Sequence, residues 1–309
     1  MDIVCATDGN YLPHCVAMLQ SLKAHHPVEE LRVNLIFDSV DLDILLKAVG
    51  FLFEQFTSFN LLRADAELVA GFPFDGHASA ATYFRLLLPD LLPSNVSRVI
   101  FIDSDAIVMA DLQELWQLPL EGKALAAVPD HWISCRDHGY VHGEYFNAGI
   151  MLIDLEVWRK KDVLGLGRAF AEANPHRLRH WDQDVLNAVF AGQWKTIGER
   201  WNACPHLFGL LPTFSLDPEN LTASEQLAIS GPAIVHFAGP GPVKPWNARS
   251  THPLKSHYLA AKALTPWSAT PLLDQPQPSW KTMAHSMIFR AKCKLKGLAQ
   301  GLTSASWDP

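Results

Sequence analysis

Two aspartates one residue apart, Asp103 and Asp105, directly follow an apolar run, Val99-Ile100-Phe101-Ile102. Side chains at i and i+2 of an extended segment point the same way, so a strand that runs into Asp103-Ser104-Asp105 presents two carboxylates side by side. Carboxylates that close repel unless a proton or cation lies between them, and a divalent ion is the simplest resident. Asp-Ser-Asp is equally ordinary turn chemistry after a strand. A second stretch, Ile234-Val235-His236, ends an apolar strand in an imidazole, then supplies Gly239 for close backbone approach and Lys244 as a cation for phosphate. Carboxylate oxygens with one imidazole suit Mn²⁺, with Mg²⁺ as second choice, better than Ca²⁺ or structural Zn²⁺. A lone strand-ending histidine is otherwise a satisfied core residue. Asp182-Gln183-Asp184 opens a helix, where the dipole favours acids and where a glutamine between two acids suits hydroxyl recognition. Asn147-Ala148-Gly149 reads as a turn before a strand.

The elements that must position these residues alternate between strand and helix patterns through the first half, which predicts an α/β chain with a single mixed sheet flanked by helices. Strands are expected over 3–6, 33–37, 98–102, 125–128, 148–153 and 234–237. Helical stripes run over 12–25, 44–53 and 182–190, and another over 78–88 is expected to stop at Pro89. Asp103 and Asp105 then stand at the carboxyl end of a buried strand, where open α/β sheets bind ligands. From about residue 264 the composition shifts. Four prolines (266, 271, 276, 278) mark a linker over 265–280, and 281–309 reads as a basic amphipathic tail, so 1–264 is the expected main domain.

A chain of 309 residues that is 49 % hydrophobic has ample material for a core. The net charge of −7 argues against nucleic acid as a partner, since such binding is mostly phosphate neutralisation. The charge is uneven: Lys281, Arg290, Lys292, Lys294 and Lys296 against Asp308 alone give the tail +4, and leave the first 280 residues at −11. Met283, Met287, Ile288, Ala291 and Leu295 fall at roughly helical spacing. The tail therefore reads either as an interfacial helix on anionic lipid or as a helix packed on protein. Five scattered cysteines without a C-x-x-C pair suggest a reducing compartment. With no signal-peptide pattern and no spanning stretch, the expected location is the cytoplasm or the cytoplasmic face of a membrane.

Taken in order, Ala6-Thr7-Asp8-Gly9-Asn10-Tyr11, Thr82-Tyr83-Phe84-Arg85-Leu86, Phe101-Ile102-Asp103-Ser104-Asp105, Tyr145-Phe146-Asn147-Ala148-Gly149, Asp182-Gln183-Asp184 and His236…Gly239…Lys244-Pro245-Trp246 resemble the retaining glycosyltransferases of family 8, over most of residues 1–255. That group includes bacterial lipopolysaccharide galactosyl- and glucosyltransferases and glycogenin. The resemblance implies a GT-A fold with a nucleotide-binding half and an acceptor half. It implies a UDP-hexose donor, a saccharide or glycolipid acceptor, and Mn²⁺ held by Asp103, Asp105 and His236. Ala6, Asp8 and Asn10 would meet uridine and ribose. Arg85, Asn147, Asp182 and Gln183 would meet the donor sugar, with Asp182 and Gln183 nearest the chemistry. Ser104 belongs with the donor site, Gly239 and Lys244 with the phosphates, and His77 and Asp130 with the acceptor. The sequence departs from the pattern at Thr7, usually a small apolar residue, and in a His236–Lys244 spacing two residues longer than in the galactosyltransferases.

Two other classes fit parts of the chain. The stretch around Asp103 is similar to the nucleophile loop of haloacid-dehalogenase-type phosphatases, in which the first aspartate attacks phosphorus. A UDP-sugar sensor without turnover would keep the same contacts. No G-x-G-x-x-G follows the first strand, which excludes a dinucleotide enzyme of that type.

Overall fold

The computed structural model describes residues 1–74, 79–130, 143–211, 216–239 and 241–273. Its principal elements, in chain order, are β1 (Asp2–Thr7), α1 (Leu12–Lys23), β2 (Arg32–Phe37), α2 (Leu42–Gln55), β3 (Phe59–Arg63), β4 (Arg98–Ile102), β5 (Ala106–Val108), β6 (Leu125–Pro129), β7 (Phe146–Asp154), α3 (Val163–Ala173), α4 (Asp182–Val189), β8 (Trp194–Thr196), α5 (Ala223–Ser230), β9 (Ile234–His236) and α6 (Lys255–Ala263). The chain divides into two compact units. One comprises Met1–Leu12, Pro27–Ser104 and Gln113–Ile197; the other comprises Pro13–His26, Asp105–Leu112 and the chain from Gly198 onward.

The first unit holds a seven-stranded sheet of order β3-β2-β1-β4-β7-β6-β8. β3, β2, β1 and β4 run parallel, β7 lies antiparallel to β4 and β6, and β8 is parallel to β6. This is the mixed α/β sheet expected from the pattern. Strand β4 is fully apolar after Arg98 because both its faces are covered: Val99, Ile100, Phe101 and Ile102 are completely buried. Its pairing with β1, Ile3 opposite Ile100, brings the ends at Thr7 and Ile102 to the same edge of the sheet. The core beneath combines Val4, Phe101, Phe146, Met151, Trp158, Val185 and Phe190. Helix α2 starts where the Asp41 carboxylate accepts from the Asp43 and Ile44 amides, and it buries Ala48, Phe51 and Leu52 on one side.

One expected helix differs. Residues Ala80–Leu87 form a 3₁₀ segment, and a short α-helical turn, Leu88–Leu91, follows with Pro89 in its first turn. Proline starts a turn here instead of ending one, because a first-turn residue has no intrahelical use for the N–H it lacks.

In the second unit the late apolar strand pairs outside the large sheet. β9 lies antiparallel to β5, with Ala106 opposite His236 and Val108 opposite Ile234. Helices α1, α5 and α6 belong to this unit, and α5 opens on a reciprocal Thr222–Glu225 capping box. After α6, Thr265 and Trp267 are buried, and the Lys262 ammonium bonds the carbonyls of Trp267 and Thr270, each at 2.7 Å. His77, residues 274–280 and the tail 281–309 lie outside the described residues. No described helix is long and apolar enough to cross a membrane.

Candidate active site

In the first unit the site is built around one guanidinium. Arg85 comes from the 3₁₀ segment and is 5 % exposed. Its Nη2 donates to Asp103 Oδ1 at 2.7 Å, its Nη1 to the Ala148 carbonyl at 2.6 Å, and its Nε lies 2.9 Å from Asp182 Oδ2. The Phe101 ring lies 4.4 Å below the guanidinium carbon. The planar fork thus spans two carboxylates and a carbonyl, a geometry that lysine cannot reproduce. Asp103 is placed by its own amide, which donates to the Gly149 carbonyl at 2.9 Å. Asp182 opens α4 behind Trp181, whose φ of +49° is strained for a bulky residue. Its Oδ1 accepts from the Thr82 hydroxyl at 2.5 Å. Burial pushes the Asp182 carboxyl up to about 6, against the opposing pull of Arg85 and Thr82.

Asp130 collects the amides. Its Oδ2 accepts from Asn147 Nδ2 at 2.9 Å and from Gln183 Nε2 at 3.0 Å, while Gln183 Oε1 takes the Ala148 amide at 3.0 Å. Asp184 is occupied structurally: it accepts from the Tyr145 hydroxyl and from the amides of Arg179 and His180. At the end of β1, the Ser104 hydroxyl donates to the Ala6 carbonyl at 3.1 Å. The Asp8 carboxylate turns the chain toward α1 by accepting from the Asn10 and Tyr11 amides. Asn10 is exposed.

In the second unit Asp105 immediately precedes β5 and His236 ends β9, so the register that sets Ala106 opposite His236 brings the two side chains together. His236 Nε2 lies 3.2 Å from Asp105 Oδ1, and the Lys244 ammonium donates to Oδ2. Burial would raise the Asp105 pKa, but Lys244 and His236 outweigh it and hold the carboxyl well below its usual range. Burial would lower His236, and Asp105 outweighs it in the other direction. Lys244 directly follows a 3₁₀ turn, Gly241–Val243. Gly239 precedes that turn at φ +102°, a backbone that side chains rarely adopt.

Sequence reasoning missed what surrounds this cluster. His14, from α1, stacks flat on Trp246, with centroids 3.6 Å apart and an interplanar angle of 8°, and its Nδ1 lies 2.7 Å from the Tyr258 hydroxyl. Burial, and then the nearby Lys244 charge, lower His14 to about 3. Behind His236, Asn202 Oδ1 lies 3.0 Å from Nδ1. No local pattern marks either residue: His14 sits within a helical stripe, and Asn202 in a short 3₁₀ turn, Glu199–Asn202.

Among the described residues, Asp103, Asp105 and His236 form the group able to offer ligand atoms to one metal ion. The donor chemistry, carboxylate oxygens and one imidazole nitrogen, fits a divalent ion such as Mn²⁺ or Mg²⁺. Chain geometry limits Asp103 and Asp105 to about 7 Å between Cα atoms. The sequence pattern of Glycosyl transferase family 8 matches residues 2–250.

The chain belongs to glycosyl transferase family 8. It is 32 % identical over 286 residues to general stress protein A of Bacillus subtilis, covering 89 % of this chain and 98 % of that protein. It is 25 % identical over 309 residues to the lipopolysaccharide 1,3-galactosyltransferase of Salmonella typhimurium, covering 96 % of this chain and 88 % of that one. The crystal structure of galactosyltransferase LgtC in complex with donor and acceptor sugar analogs is similar at a TM-score of 0.77 and 26 % identity, over 87 % of this chain and 99 % of that one. The family 8 chain is a glycosyltransferase with the α/β fold of LgtC, a mostly parallel sheet flanked by helices. Membership of a glycosyltransferase family sets aside the phosphatase reading of the stretch around Asp103.

Proposed function

We propose that this enzyme transfers a hexose, galactose or glucose, from a UDP-sugar to a saccharide acceptor of lipopolysaccharide core or another lipid-linked glycan, with retention of configuration and dependence on Mn²⁺. The observation that carries the reading is the buried Asp105 carboxylate, met by His236 and Lys244 of one glycine-containing segment. Similarity to a lipopolysaccharide galactosyltransferase supports the donor and acceptor classes.

Breaking the anomeric C–O bond develops positive charge on the sugar and negative charge on the leaving diphosphate. A divalent ion on Asp103, Asp105 and His236 would supply Lewis-acid stabilisation of that negative charge. Lys244 adds a fixed cation from the chain, and stabilisation of charge that grows in the transition state lowers the barrier. Arg85, Asn147, Asp182 and Gln183 orient the donor sugar. Asp8, Asn10 and the end of β1 take the nucleoside, and Gly239 lets the backbone approach the phosphates. Asp130 positions Asn147 and Gln183, and is proposed with His77 for the acceptor.

A same-face reaction, in which the leaving phosphate accepts the acceptor proton, accounts for retention. Supporting it, Asp182 is engaged at both oxygens by Thr82 and Arg85, and Asp184 by Tyr145 and two amides. A glycosyl adduct trapped on either carboxylate by mass spectrometry would remove the same-face mechanism.

We further propose the division into a 1–264 transferase domain, a 265–280 linker and a 281–309 tail that holds the enzyme on the cytoplasmic face of the membrane through anionic lipid. Deleting 281–309 should abolish sedimentation with anionic liposomes and spare activity on a soluble acceptor. Undiminished sedimentation would refute the membrane role. The function itself is tested by UDP release from a panel of UDP-sugars with Mn²⁺ or EDTA. Slow Mn²⁺-dependent release from one hexose donor is expected. UDP binding without release from any donor, even with oligosaccharide acceptors present, would favour a sensor.

A further inference from the structure

We propose that Asn202 is a positioning residue that fixes the tautomer of His236, and so determines which imidazole nitrogen faces a divalent ion. The inference rests on the metal reading above. Asn202 is 1 % exposed and His236 4 % exposed, so neither exchanges its partner freely with water. Backbone bonds hold them in place: Ala203 forms a parallel bridge with Val235, its amide donates to the Ile234 carbonyl at 2.8 Å, and the His236 amide donates to the Ala203 carbonyl at 3.1 Å. Asn202 is therefore stitched, through the next residue, alongside the strand that carries the histidine.

Both ring nitrogens of His236 face an acceptor. An amide oxygen only accepts, and Asn202 Oδ1 lies 3.0 Å from His236 Nδ1 and 3.3 Å from the Cys204 thiol, a donor directed at the same oxygen. Nδ1 must carry a proton to bond there. Nε2, on the far edge of the ring, faces Asp105 Oδ1 at 3.2 Å and bonds it only while protonated, so the Nε2 proton is the one that a divalent ion on Asp105 would displace, with Asn202 keeping the other on Nδ1. A buried imidazole without this acceptor divides between two tautomers, only one of which presents Nε2 to the ion. Outer partners of this kind change metal affinity by roughly 10- to 100-fold.

The test is a Mn²⁺ titration of the full chain followed by electron paramagnetic resonance, with and without UDP, on the wild type and the Asn202→Leu, Asn202→Asp and His236→Ala variants. Asn202→Leu should weaken Mn²⁺ binding by about 10- to 100-fold. Asn202→Asp, which keeps an acceptor at the same place, should restore it, and UDP affinity in EDTA should be the same for all. Wild-type Mn²⁺ affinity in Asn202→Leu, beside lost affinity in His236→Ala, overturns the proposal and leaves the metal reading standing. Wild-type affinity in His236→Ala overturns the metal reading and the proposal with it. Nitrogen NMR of the wild-type chain with Mg²⁺ and UDP needs no folded variant. A protonated Nδ1 is expected on His236, and a protonated Nε2 overturns the proposal.

Discussion

Replacing Lys244 by methionine separates the stabilising role of the Lys244–Asp105 contact from the catalytic role proposed for Lys244. The pair is buried, with side chains 10 % and 12 % exposed, and Asp105 also has His236 Nε2 at 3.2 Å. Removing one partner of a buried ion pair costs about 3–5 kcal/mol, because the other charge loses its compensation. His236 keeps one cation on the carboxylate, which places the cost at the lower end, about 3 kcal/mol. At about 2–4 °C per kcal/mol, the melting temperature in EDTA should fall by about 6–12 °C. A divalent ion bound to Asp105 replaces the lost charge, and at about 100 times its dissociation constant it stabilises the fold by about 2.7 kcal/mol. Mn²⁺ should therefore raise the melting temperature of Lys244→Met more than that of the wild type, whose Asp105 already has the ammonium. Activity should not follow stability back. With no fixed cation beside the diphosphate, UDP release with saturating Mn²⁺ should stay down by about 10²- to 10³-fold. Paired melts in EDTA and Mn²⁺, with UDP release on the same samples, measure all three effects. A variant that melts with the wild type in EDTA would refute the buried-pair argument. One whose turnover returns with its melting temperature would refute the catalytic role of Lys244.

The Asp182 carboxyl, raised to about 6 by burial, ties activity to pH. Below that value it protonates and its hold on Arg85 weakens, so kcat/KM should show an acid limb near pH 6 that Asp182→Asn removes at lower overall activity; an unchanged limb in that variant would place the titration elsewhere. The sign for stability is opposite. A carboxyl whose folded pKa exceeds its unfolded value costs stability as pH rises from about 4 to about 6. Wild-type chemical denaturation should therefore show a loss over that window that Asp182→Asn lacks. At His14, the stack on Trp246 and the bond to Tyr258 are separable. His14→Phe should keep the stack and cost about 1 kcal/mol for the lost hydrogen bond, while His14→Ala should cost about 1 kcal/mol more, read from urea midpoints; equal costs would mean that the stack contributes nothing.

The parts of the site legible in the sequence are those carried by continuous motifs. An apolar run ending in Asp103-Ser104-Asp105 reads as a buried strand delivering carboxylates because nothing but double-sided burial makes Val99–Ile102 uniformly apolar. His236 reads equally well as the end of an apolar strand, but its strand partner does not. β5 is only three residues long and directly follows the motif, too short to stand out as a strand, and the late strand looks like one more member of the large sheet. Pro89 misleads for a different reason: the residue that ends a helix when it lies inside one is tolerated when it lies in the first turn of the next.

What stays hidden is the layer behind the motifs, because it is assembled across long stretches of chain. Asp130 is 17 residues from Asn147 and 53 from Gln183, yet one of its oxygens holds both amides. His14 and Tyr258 are 244 positions apart. Each is an ordinary residue in an ordinary local pattern, and its value comes only from the neighbour that folding supplies. This division follows from the physics of the reaction. The groups that face charge developing on a substrate must be polar, convergent and on strand ends, which leaves a dense local signature. The groups that hold them still need only a hydrogen bond in the right place, which almost any polar residue can supply. Asn202 behind His236 and Asp130 behind Gln183 do the same work by opposite chemistry, an amide accepting from an imidazole and a carboxylate accepting from amides. In this enzyme the chemistry can therefore be read from residue types, but its orientation can be read only from contacts.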